Sequence, residues 1–105
     1  MEVIKMEELE ARTNKRGVKV RPILKKETVQ VMNLVLEPGD EVPSHSVPVD
    51  VFFYVVEGKG TLKIGDESRV VEANDIIPCD PDTEMALYAD QEGKFVVLNV
   101  KTPAL

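Results

Sequence analysis

A chain of 105 residues, 43% hydrophobic and 30% charged, can build one domain around a single core and has no room for a second. Its net charge of −6 argues against the basic face that a nucleic-acid partner needs. No apolar run approaches the roughly 18 residues of a membrane span, and the single cysteine, Cys79, excludes an internal disulfide.

The opening segment, MEVIKMEELEAR, is charged and lacks the apolar stretch of a secretion signal, so the expected compartment is the cytoplasm. Charge is unevenly spread. Residues 1–37 hold eight Lys and Arg against six Asp and Glu, whereas residues 38–105 hold five against thirteen. Such a split fits either ordinary solvated faces or an acidic barrel carrying a mildly basic N-terminal arm.

In chain order, only Met6 to Thr13 has the composition for a helix, of a turn or two. From Val18 onward Val, Ile, Leu, Thr, Phe and Tyr dominate in short runs: VKVRPIL, TVQVMNLVLE, VPSHSV, VDVFFYVVE, TLKIG, SRVVE, DIIPC, TEMALYA and KFVVLNVK. Between them sit PGD, EGKG, GDE, AND, DPD and DQEG, rich in the residues that tight turns demand. Nine short strands without a long helix predict an all-β sandwich or barrel. In TVQVMNLVLE, period-two alternation places Val29, Val31, Asn33 and Val35 on one face and Gln30, Met32, Leu34 and Leu36 on the other. VDVFFYVVE is apolar on both faces and is therefore expected to be covered on both.

Residues 38–60, PGDEVPSHSVPVDVFFYVVEGKG, resemble the first motif of the cupin superfamily: a Pro-Gly turn, a strand carrying His-x-His, then a Glu and a later Gly. Residues 74–89, NDIIPCDPDTEMALYA, echo the second motif, and the closing VVLNVKTP is similar to a last barrel strand. The resemblance spans roughly residues 30 to 103. It implies a double-stranded β-helix, a jelly-roll-like barrel, with residues 1–25 forming an N-terminal arm and edge strand and residues 26–105 the barrel domain. It also implies a homodimer paired through the N-terminal region.

Cupins typically hold a divalent metal with three His and one Glu inside the barrel. In this chain the first ligand position is His45, its only histidine, while the other three positions fall on Val47, Val51 and Met85. Asp50 adjoins Val51 but should point to the opposite face. The Gly of the second motif's turn falls on Asp82. One imidazole cannot retain a catalytic divalent ion against water, so no cofactor is expected. Were a metal present, it would be a divalent transition metal or copper at His45, with Met85 and Cys79 as soft donors.

Under this resemblance His45, Val47, Val51, Phe53, Met85, Leu87 and Cys79 share the barrel interior. Such an interior is either a small-molecule pocket or a barrel filled by its own side chains. Phe52 and Tyr54, on the other face, are candidates for a dimer contact or for packing against a second sheet layer. Three functions follow: a cupin that binds a small molecule without the usual metal, a divergent metal-dependent isomerase or dioxygenase built on His45, or a structural, partner-binding module.

Overall fold

Alternating side chains commit most of the chain to extended backbone, and the computed structural model, which describes residues 1–105, contains ten strands and no α-helix. They are β1 (Arg12–Thr13), β2 (Lys19–Lys26), β3 (Val29–Leu36), β4 (Glu41–His45), β5 (Asp50–Glu57), β6 (Lys59–Ile64), β7 (Glu67–Glu72), β8 (Ile76–Cys79), β9 (Met85–Ala89) and β10 (Phe95–Thr102). All nine expected runs are strands; the addition is the two-residue β1. The helical stretch expected after Met6 shrinks to one 3-10 turn, Met6–Glu8.

The strands form two antiparallel sheets. One has the order β1-β2-β3-β10-β5-β8, the other β4-β9-β6-β7. Residues 1–25 thus supply β1, at the margin of the larger sheet, and most of β2, which is inserted between β1 and β3.

Facing residues of the two sheets build the core. Leu36, Phe53, Val55, Phe95 and Val97 project from the larger sheet toward Val42, Leu62, Met85 and Leu87 of the smaller one, all within a single buried cluster. On β3 it is the Leu34 and Leu36 face that turns inward, so Val31, Asn33 and Val35 lie on the outer side. Asn33 is buried there: its Nδ2 donates to the Val97 carbonyl at 3.1 Å, and its Oδ1 accepts from Arg21 Nη1 at 3.1 Å, which satisfies a polar group that would otherwise cost stability.

Two close approaches hold the β5–β6 turn against the core. Gly58 has φ +84 and faces the Lys94 carbonyl, leaving no space for a Cβ. At Gly60 a Cβ would stand 2.6 Å from the Phe95 ring. The aromatic side chain therefore lies directly on bare backbone.

Candidate functional site

β4 is the margin of the smaller sheet and pairs only with β9. Val42 stands opposite Leu87, yet His45, three residues on, stands opposite Met85, only two residues back along β9. A bulge at Pro43–Ser44 therefore adds one residue to β4. Strict alternation would have sent His45 outward; the bulge returns it to the face shared with Met85. His45 is half-buried, with Nδ1 3.1 Å from the Pro43 carbonyl. A carbonyl only accepts, so Nδ1 is the donor in this contact.

Of the other candidates, Val51, Phe53, Cys79, Met85 and Leu87 all belong to the buried cluster, each at most 4% exposed, and Val47 packs against it. The structure thus places five of the seven within the core cluster and Val47 against it, with His45 half-buried on β4 opposite Met85. None of the three principal clefts is lined by any of them. Asp50 is exposed and pairs in register with Thr102, on the face opposite Val51. Asp82 adopts φ 61 and its N–H donates to the Val47 carbonyl at 2.8 Å. Its turn keeps the left-handed backbone that a glycine would supply at lower cost.

Burial pushes the Cys79 thiol up from its ordinary range, and the neighbouring Asp80 carboxylate adds to the shift. The thiolate needed for attack or for soft-metal ligation is disfavoured in this surrounding.

The most voluminous of the three principal clefts lies where the sheets part. Between β7 and β8 runs a cleft of about 470 Å³, floored by Leu62, Val71, Ile64 and Ile77 and rimmed by Arg69 and Asp75. Leu62 and Val71 are core residues, and Ile64 and Ile77 pack on that core, so the cleft opens directly on the apolar interior.

Sequence reasoning missed the polar end of the larger sheet's inner face. Asn99 stands between Met32 and Phe53, and Lys101 between Gln30 and Val51. Once Phe95 and Val97 are read as core, period-two alternation along FVVLNVK carries Asn99 and Lys101 onto the same face. That signal was available.

The model of the family described as Cupin domain matches residues 32–101. The chain belongs to the cupin family. No curated protein matches it, but many solved structures share the fold. The cupin is similar to KdgF from a Halomonas species, with TM-score 0.91 and 16% identity over 100% of this chain and 96% of that one. It is likewise similar to a predicted oxalate decarboxylase from Thermotoga maritima, with TM-score 0.84 and 19% identity over 98% and 100% of the two chains. A third resemblance is to the polyketide cyclase RemF of Streptomyces resistomycificus, with TM-score 0.88 and 14% identity over 99% and 80%. What these three share with this cupin is architecture.

The metal that cupins usually carry can be tested against the residues present. Of the four ligand positions only His45 retains a donor of the usual kind, and Val51 and Met85 are buried in the core cluster. No group of three or more His, Cys, Asp or Glu side chains converges anywhere in the chain. The residues do not fit a divalent ion of the usual cupin kind.

Proposed function

We propose that this cupin binds a small molecule in the cleft between β7 and β8, without the divalent centre its family's motifs usually build. The reading is carried by one observation: a space of about 470 Å³ whose floor is the barrel's own apolar core. Ligand sites are commonly apolar hollows of 300–1,000 Å³ with a few polar groups, and Glu67, Arg69 and Asp75 supply polar groups among its lining. Indole, a small neutral probe, should produce saturable shifts in the methyl resonances of Ile64, Ile77 and Val71. Ile64→Phe, which narrows the cleft, should weaken them. Methyl shifts absent from those three residues would overturn the proposal.

A second copy of the chain is the proposed partner. The outer face of the larger sheet carries Phe52 at 39% and Ile76 at 64% exposure, beside Tyr54 and Leu98. Exposed apolar side chains grouped on one sheet face support an interface between subunits. Light scattering at micromolar concentration should report a dimer that Phe52→Glu dissociates; a monomeric parent protein would refute the pairing.

A further inference from the structure

A second hollow, remote from the β7–β8 cleft, lies at the other margin of the larger sheet. It has about 320 Å³ of space and is lined by Arg12, Pro22, Lys25, Gln30 and Met32 among others. Lys25 pairs in register with Gln30, and Gln30 with Lys101, so these three side chains stand side by side on one sheet face. Arg16 lies near enough to add its charge to that of Lys25 around Lys101.

We propose that this cleft binds a small organic anion through a carboxylate or phosphate headgroup held among Arg12, Lys25, Lys101 and the Gln30 amide. Three observations point there. The chain's ion pairs are Lys59–Asp90 and Arg69–Glu67, so none of Arg12, Arg16, Lys25 and Lys101 has a carboxylate oxygen within 4.0 Å. In a protein of net charge −6, Arg12 and Lys25 line the hollow, Lys101 adjoins it across Gln30, and Arg16 lies close to Lys101, a gathering of unpaired cations that departs from the average surface.

Second, Lys101 is half-buried on the inner face of the sheet. Burial holds its ammonium below the usual lysine range, and repulsion from Arg16 and Lys25 adds to this. An anion seated there would replace lost hydration and cancel the repulsion.

Third, the Gln30 amide is only half-engaged. Its Oε1 accepts from the Leu105 N–H at 3.2 Å, while Nε2 has only the Met32 thioether, at 3.9 Å. A thioether is a weak acceptor, so this donor is free to serve an oxyanion. The dimensions suit a small molecule at the lower end of ligand-pocket volumes, and the acidic remainder of the surface opposes a polyanion such as nucleic acid.

The test uses the full chain and two probes, inorganic phosphate and malonate, each exchanged for chloride at constant ionic strength. Carbon–proton spectra of the lysine side chains should show saturable shifts at Lys25 and Lys101, with one common dissociation constant below about 10 mM. The Lys101 titration midpoint should move up on binding. Lys101→Gln should weaken binding about tenfold or more, Lys101→Arg should restore most of it, and Lys94→Gln, at an exposed site, should leave it unchanged. Should Lys101→Gln fail to fold by circular dichroism, Lys25→Gln takes its place with the same expected loss. Tighter binding of either probe identifies the headgroup, and both outcomes support the site. Shifts that grow linearly and equally with chloride, or a Gln variant that binds like the parent, would overturn it.

Discussion

Met85 occupies the position where a cupin usually carries a metal-binding histidine, and truncating it asks directly whether that end of the barrel is packed. The side chain is 1% exposed and belongs to the core cluster, flanked on its sheet by Ile64 of β6 and His45 of β4. Met85→Ala deletes three heavy atoms from this environment. Buried Met, Leu or Ile truncations cost about 2–5 kcal/mol, combining lost transfer energy with the residual cavity. We expect the lower half of that range, about 2–3.5 kcal/mol, because Met85 lies near the end of β9 and His45, half-buried beside it, can move into the gap. Domains of this size are stable by about 5–15 kcal/mol, so the change is a large share of the total. In thermal terms it corresponds to a fall in Tm of roughly 10–25 °C. Guanidinium unfolding followed by far-ultraviolet circular dichroism, with equal denaturant slopes for parent and variant, gives the difference directly. A loss below about 1 kcal/mol would refute the reasoning, for it would mean that Met85 borders open space and that the barrel end is hollow.

Four further outcomes follow from other parts of the fold. Gly58→Ala should cost at least about 2 kcal/mol by the same assay, since a side chain at φ +84 is strained and also meets the Lys94 carbonyl. At Asp82, with φ 61, replacement by Gly should change stability by less than about 1 kcal/mol, whereas Asp82→Val should lose about 1–2 kcal/mol. The Cys79 thiol, raised by burial and by Asp80 from its reference value of 9.0, stabilises the fold fully below that value. Its contribution should be lost as pH climbs through the higher folded-state value. Cys79→Ala should remove that alkaline decline, while Lys101, shifted the opposite way, is unaffected by the substitution. Stoichiometric Zn²⁺ should raise Tm by less than about 1 °C, because a ligand must bind the native state well above its Kd to stabilise it and one imidazole supplies too few donors.

The fold was legible because period-two alternation is local. Each run such as TVQVMNLVLE or VDVFFYVVE states its own geometry, and the turns between them carry Gly, Asn and Asp where positive φ occurs, at Gly39, Gly65 and Asn74. The choice of face was less so. Alternation divides β3 into two sets but cannot say which is inward, and here a buried Asn33 went with the outer set. The family motif marked seven residues, of which Val51, Phe53, Cys79, Met85 and Leu87 lie in the core cluster, and none lines the three principal clefts. The two clefts were not legible at all. One needs the margins β7 and β8, which belong to different sheets and do not pair with each other. The other is lined by β1, β2 and β3, and its outline depends on how the short β1 caps the sheet margin, which no local pattern in the sequence states.

The bulge in β4 gives His45 an unusual dependence. Its inward orientation rests on one residue of Pro43–Ser44 being looped out of the ladder, since three strictly paired positions after Val42 would turn it outward. Removing one of those two residues would leave His45 two positions after Val42, and simple alternation would then hold the imidazole on the same inward face, opposite Met85. For this barrel, a deletion there would remove the bulge and spare the histidine's place, whereas straightening the bulge at full length would turn it out.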